Sequence, residues 1–216
     1  AMLVTVLYRM AGSPDVEGKV SEKFKDCKDG AYYEKAVLWA AANGIVGGYS
    51  DGTFRPDTPV TRAQFVLMLW RMCGKPAAAK SASFADTANG GWYQDALNWA
   101  VENGVINGYA DGEGNRVAFG PDDSMTLEQL VTAIANLSAD EEDLPGTGET
   151  AAILRSFRDR WSVSPWARPS MAWAAQKGLV TGYDEPDGKH LRPSENISRE
   201  RAVVILMRAF ELGILE

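Results

Sequence analysis

One pattern constrains this chain more than any other: it is written three times over. Tyr32 and Trp39, Trp92 and Trp99, and Trp166 and Trp173 are each seven residues apart. Five residues further on come Gly44, Gly104 and Gly178, and four beyond those Gly48, Gly108 and Gly182, each followed by a tyrosine. A loop of variable length then ends in Pro56, Pro121 and Pro193, with Thr61, Thr126 and Ser198 five residues later. Each unit opens on Phe-x-Asp: Phe24 and Asp26, Phe84 and Asp86, Phe157 and Asp159. Self-similarity at this period marks a repeat architecture, and each unit must bury its apolar face on its neighbours.

One unit can be read from local chemistry. Aromatics seven apart with alanines between them mark one face of a first helix. Gly44, Gly104 and Gly178 stand where a left-handed C-terminal cap is expected. The Gly-Tyr-x-Asp-Gly segment is turn chemistry. Thr61-x-x-Gln64 and Thr126-x-x-Gln129 are capping boxes, and Thr61, Thr126 and Ser198 are read as N-caps of a second helix. Phe65–Trp70 and Ala202–Met207 are apolar nearly all round, which predicts a buried, central position.

The predicted division is a second helix of a preceding repeat over 1–13, repeats over 24–74, 84–137 and 156–211, and an acidic linker over 138–155, all forming one domain. The N-terminal assignment rests on laying AMLVTVLYRMAG over AQFVLMLWRMCG of residues 63–74. Such an unpaired helix could complete the bundle or support self-association. The stretch Ser138–Thr150 is acidic, has Pro and Gly and almost no apolar residue, and reads as solvated. Inside it, Leu144-Pro145-Gly146-Thr147-Gly148 resembles a sortase sorting signal. A working signal is followed by an apolar span and a basic tail, whereas here a full repeat follows, so it is read as turn chemistry.

Composition removes several functions. The net charge of −7 sets up no field for phosphates, and no Lys/Arg cluster opposes it, which argues against nucleic acid. No apolar run approaches the roughly 20 residues of a membrane span, so no membrane insertion is expected. Cys27 and Cys73 form neither a disulfide framework nor a zinc pattern, and the one histidine, His190, lies in a polar loop. Asp111-Gly-Glu-Gly-Asn115 departs from a calcium loop, with Arg116 at the glycine position. Neither cofactor nor metal is expected. The recurring acids come one per repeat in turn contexts, without the facing pair a glycosidase needs, so no enzyme is expected.

The Phe-x-Asp openings, Trp39-Ala40 and Trp99-Ala100, the Asn-Gly-Ile-Val-Gly-Gly loop of 43–48 and Val60-Thr-Arg-Ala-Gln64 resemble the S-layer homology family. The resemblance covers nearly the whole chain outside the linker. It implies an all-α fold, tandem helix-loop-helix repeats in a pseudo-threefold spindle around a central helical bundle. It also implies inter-repeat grooves that bind secondary cell-wall polysaccharide with anionic pyruvyl groups. The expected result is non-covalent anchoring of an exported protein on the wall of a Gram-positive-type bacterium. A protein-binding helical scaffold at the cell surface is the alternative.

The family's Thr-Arg-Ala-Glu helix start matches Thr61-Arg62-Ala63-Gln64 and, more loosely, Ser198-Arg199-Glu200-Arg201. A cation at a helix start opposes the dipole, at a cost of about 0.3–1 kcal/mol when exposed. Arg62 and Arg199 are therefore expected to help free backbone N–H groups hold an anion, and their loss to weaken wall binding with little change in melting temperature. The other reading pairs each arginine with a Phe-x-Asp aspartate. Leu127 stands where the middle repeat's arginine would be, which predicts a weak groove around that repeat's second helix. Thr61 and Ser198, Asp26, Asp86 and Asp159, and Gly48, Gly108 and Gly182 complete the candidate polysaccharide contacts. Trp39, Trp99 and Trp173 are further candidates as sugar platforms, although their spacing also suits a buried face.

Overall fold

A computed structural model describes residues 16–87 and 91–215. The segment 1–13 assigned to a preceding repeat, with its self-association, lies outside the described residues.

A short helix α1 (Val20–Lys23) leads into the first repeat, which holds α2 (Glu34–Ala42) and α3 (Arg62–Met72). The second holds α4 (Gln94–Glu102) and α5 (Leu127–Ser138). A further helix, α6 (Thr147–Leu154), precedes α7 (Arg168–Gln176) and α8 (Arg199–Glu211) of the third. The first helix of each repeat ends as its glycine predicts. Gly44 takes φ 67°, and the Ile45 N–H turns back to the Ala40 carbonyl at 2.8 Å. Thr61 and Thr126 close the predicted capping boxes with Gln64 and Gln129. Ser198 occupies the N-cap position without capping. Its third helical residue is Arg201, which has no acceptor to return, and its hydroxyl donates instead to Glu200 Oε1 at 2.6 Å.

The repeats close into a cycle. The first helices α4 and α7 pack on the second helices of the preceding repeats, α3 and α5, and α2 packs on α8. At the centre, the residue before each cap donates to the next: Val60 N–H to Ile197 at 2.8 Å, Ile197 to Met125 at 2.8 Å, and Met125 to Val60 at 2.9 Å. The prolines that end the loops face the neighbouring helix starts. Ala63, Glu128 and Glu200 donate their N–H groups to the carbonyls of Pro121, Pro193 and Pro56, at 3.0, 3.0 and 3.1 Å. Orphan amides at a helix start need a partner, and here another repeat supplies it.

The Phe-x-Asp aspartates hold each loop where it returns. Asp26 accepts from the N–H groups of Phe54 and Arg55, Asp86 from Phe119 and Gly120, and Asp159 from Leu191 and Arg192, all within 2.6–2.8 Å. The phenylalanine two residues earlier lies against the loop glycine. A Cβ on Gly48 would stand 2.7 Å from Phe24 Cε1 and 2.9 Å from the Thr53 carbonyl, too close for any side chain.

Two expectations are corrected. The all-α assignment holds in outline, since the fold is helix-rich, but two short antiparallel hairpins are added among the described residues. Tyr109–Ala110 (β1) pairs with Arg116–Ala118 (β2), and Tyr183–Glu185 (β3) with Gly188–His190 (β4). The longer loops of the second and third repeats leave room for a ladder. In the first repeat Tyr49 N–H reaches Thr53 directly at 2.8 Å, which closes a tight turn instead. The carboxylate of Asp111 is spent on its own turn, accepting the Glu113 and Asn115 N–H groups at 2.9 Å each.

The acidic linker is likewise ordered. Glu141–Asp143 form a 3-10 turn and α6 follows, burying Thr150 and Leu154 and packing on α7. The helix formers Ala151–Leu154 lie just past the acidic window, and the Thr150 hydroxyl donates to the Pro145 carbonyl at 2.8 Å. Pro145-Gly146, expected to be turn chemistry, instead runs extended into the helix, with Gly146 at its N-cap.

Candidate functional site

Arg62 and Arg199 leave their own repeats. Arg62 Nε donates to the Phe119 carbonyl at 2.7 Å and Nη2 to the Asn107 carbonyl at 3.0 Å, both in the second repeat's loop. Arg199 Nε donates to Phe54 at 2.9 Å and Nη1 to Gln64 Oε1 at 3.0 Å, in the first repeat. The guanidinium carbon of Arg62 stands 4.6 Å from the Tyr109 ring centre, and that of Arg199 5.2 Å from Tyr49. Both arginines are buried. Burial pushes both guanidinia down; Tyr109, Asp123 and Asp86 oppose it around Arg62, and Tyr49 and Asp26 around Arg199.

This corrects the expected anion site at the helix starts. The Arg62 and Arg199 N–H groups are taken by the carbonyls of Asp123 and Thr58, each at 2.9 Å. No open set of amides remains there. The alternative of a direct ion pair with a Phe-x-Asp aspartate is also absent among the described residues, because the guanidinia bind carbonyls and the aspartates bind amides. The two groups still feel each other. Burial works against ionising Asp86, but the Phe119 and Gly120 N–H groups and the charge of Arg62 outweigh it, and its carboxyl lies below the ordinary value.

Each arginine edge opens into a groove built from three repeats. The first groove, about 290 Å³, is lined by the Gly47–Tyr49 loop, Gln64, Arg71, Arg199 and Trp92. The second, about 650 Å³, is lined by Asn107–Tyr109, Gln129, Arg62, Arg116 and Trp166. Trp92 and Trp166 are 61% and 55% exposed. A flat indole beside a fixed cation suits a sugar that carries an acid group.

The structure redistributes the remaining candidates. Trp39, Trp99 and Trp173 are in the core, at 4%, 4% and 2% exposure, and cannot stack on a sugar. Their partners Tyr32, Trp92 and Trp166 are exposed instead. Helical spacing misleads here because α2, α4 and α7 begin two residues after these positions, so no helix face governs them. Thr61 caps its helix, Ser198 gives its hydroxyl to Glu200, and Asp26, Asp86 and Asp159 hold loops. Gly48 and Gly108 line the grooves as backbone and, with Gly182, make room for Phe24, Phe84 and Phe157.

Leu127 is also reassigned. It is buried with its N–H on Glu195 of the third repeat, the relation that Arg62 has to the second repeat and Arg199 to the first. The arginine is therefore missing from the third repeat's loop, and the groove around the middle repeat's second helix has Arg62. In the third repeat Arg201 and Arg192 lie over the Tyr183 ring at 4.2 and 4.3 Å, and the first repeat's Tyr32 hydroxyl donates to Glu200 Oε1 at 2.9 Å.

Comparison with known proteins agrees with this arrangement. Residues 23–66, 83–131 and 156–200 match the model of the S-layer homology domain. The chain is 32% identical over 96% of its length to exoglucanase XynX of Acetivibrio thermocellus, of which it spans 17%. It is 34% identical over 89% to an amylopullulanase of Thermoanaerobacterium thermosulfurigenes, spanning 9% of that protein. It is 27% identical over 85% to the surface-layer 125 kDa protein of Lysinibacillus sphaericus, spanning 14%. The chain thus corresponds to a minor part of each relative. Three matched segments, in the order and spacing of the three repeats, place it: the chain belongs to the S-layer homology domain family.

Proposed function

We propose that this chain is a wall-attachment module, holding the protein that carries it non-covalently on the outside of a Gram-positive-type bacterial cell. Its ligand is secondary cell-wall polysaccharide with anionic, pyruvyl-type groups, bound in the inter-repeat grooves. The three repeats are related by a pseudo-threefold axis through the Val60–Met125–Ile197 ring, as a helical spindle. One observation carries the reading: two grooves each set an exposed tryptophan beside a guanidinium that a neighbouring loop holds in place. Its relatives include an exoglucanase, an amylopullulanase and a surface-layer protein, whose named activities differ while this segment is shared. A shared segment among unlike proteins suits attachment better than catalysis.

With a net charge of −7 the chain gains nothing from long-range attraction to an anionic polymer, so recognition is local and stereochemical. The first and second grooves are the working ones, and the third, with Leu127 in place of an arginine, contributes least. Co-sedimentation with cell walls before and after chemical removal of the secondary polymer tests the reading. Binding is expected to disappear with the polymer. Equal binding to stripped walls, or capture by a surface protein in the absence of polysaccharide, would show the proposal to be wrong.

A further inference from the structure

A further cavity lies away from both grooves. It measures about 740 Å³ and is lined by the Leu144–Gly146 stretch, one side of α6 and residues between Arg160 and Pro169. The extra helix between the second and third repeats creates it. Nothing in the repeat pattern requires such a space.

Its chemistry is specific. Arg155, Arg160 and Arg168 border it, and no Asp or Glu is among its lining residues. Ion pairs among the described residues involve Arg55, Lys189, His190 and Arg192, none of these three. Three guanidinia without an ion pair among the described residues, gathered in one cavity, stand out in a chain whose net charge is −7. Arg160 and Arg168 are oriented by backbone: Arg160 Nη1 donates to Phe157 and Arg168 Nε to Val163, each at 3.3 Å. The rest of each fork stays available.

Trp161 supplies the second element. It is 75% exposed, the most open large aromatic among the described residues, and the Arg160 guanidinium carbon lies 4.7 Å from its ring centre. Folding gains little from an indole left in water, whereas a ligand with an apolar ring face would gain by covering it. Leu144, Pro145 and Leu154 provide an apolar wall. The volume exceeds what a lone anion fills and falls in the range of small-molecule sites, about 300–1,000 Å³.

We propose that this cavity binds an acidic saccharide residue, its pyranose ring against Trp161 and its carboxylate or phosphate between the guanidinia of Arg160 and Arg168, with Arg155 at the rim. The site is separate from the grooves and stands whether or not the grooves bind wall polymer.

Its test reads Trp161 itself. Seven tryptophans give resolvable indole N–H signals in a nitrogen-15 spectrum, and Trp161→Phe identifies the one in question. The probes are glucuronic acid and glucose 6-phosphate, with glucose as the neutral control. We expect the Trp161 signal to shift saturably with the acids and to require about tenfold or more higher glucose for the same shift, the loss of one charge-assisted contact. The acid that saturates first identifies the preferred group. Arg160→Gln with Arg168→Gln should abolish the response, and Arg155→Gln, at an exposed position, should weaken it while leaving the fold untouched. An unmoved Trp161 signal with both acids, an equal response to glucose, or a response unchanged in Arg155→Gln and in a folded double variant would overturn the proposal.

Discussion

Arg62 and Asp86 belong to different repeats and grip the two ends of one residue. Asp86 Oδ1 accepts the Phe119 N–H at 2.8 Å, and Arg62 Nε donates to the Phe119 carbonyl at 2.7 Å. Asp26 and Arg199 do the same to Phe54, at 2.8 and 2.9 Å. At Leu191 the third repeat keeps the aspartate, with Asp159 at 2.8 Å, and has Leu127 at the junction instead of an arginine. Each arginine is thus a fastener between repeats before it is a ligand for anything else.

That arrangement revises what removing an arginine does. Arg62→Ala and Arg199→Ala were expected from sequence to leave melting almost unchanged. The structure instead predicts a loss of about 1.5–3 kcal/mol each, since buried carbonyls of Phe119 and Phe54 lose a charged donor. In a chain of this size that lowers the melting temperature by several degrees, readable by calorimetry. Lysine should rescue only in part, because it cannot reach two carbonyls as a fork does.

Ligand recognition is separable at the tryptophans. Trp92→Ala and Trp166→Ala should each weaken wall co-sedimentation while shifting the melting temperature little, because both rings are mostly in solvent. Trp99→Ala, by contrast, empties a core position and should cost about 3–5 kcal/mol. If Trp92→Ala and Trp166→Ala together sediment with walls as the parent does, the grooves are not the binding site.

Acid should weaken the second repeat's loop. The Asp86 carboxyl is depressed in the folded chain, so its contribution is present above its unfolded value of about 3.9 and is lost as pH falls through the lower folded value. Asp86→Asn should therefore melt below the parent at neutral pH, and the gap should narrow as pH approaches 3. A gap independent of pH would mean that the charge does not matter there.

The glycine–phenylalanine contacts make a coupled pair. Gly48→Ala drives a methyl against Phe24 and the Thr53 carbonyl and should cost about 1–3 kcal/mol. With Phe24→Leu in the background the cost should fall, and a double-mutant cycle by denaturant unfolding measures the difference. Strict additivity would place the strain elsewhere.

Local chemistry made much of this molecule legible from sequence. The Thr61 and Thr126 capping boxes, the Gly44 helix end and the position of the second helices depend on residues three or four apart, where side chain and backbone meet within one turn. The Phe-x-Asp aspartates were not legible in this way, since they accept amides 28 to 33 residues further along the chain. The acidic segment misled because its composition was judged up to Thr150, while the helix formers Ala151–Leu154 and the packing on α7 decide its structure.

What only the tertiary structure decided is which groups face each other across repeats. Arg62 and Phe119 are 57 residues apart, and Arg199 and Phe54 are 145 apart. No local preference encodes such pairs; they exist because helix packing and the Val60–Met125–Ile197 ring close the chain on itself. The same closure sorts the aromatics. By itself the sequence determined that Tyr32, Trp92 and Trp166 recur seven residues before Trp39, Trp99 and Trp173. Only the folded chain puts the first set in water and the second in the core, because each helix begins after the first ring and carries only the second on its buried face.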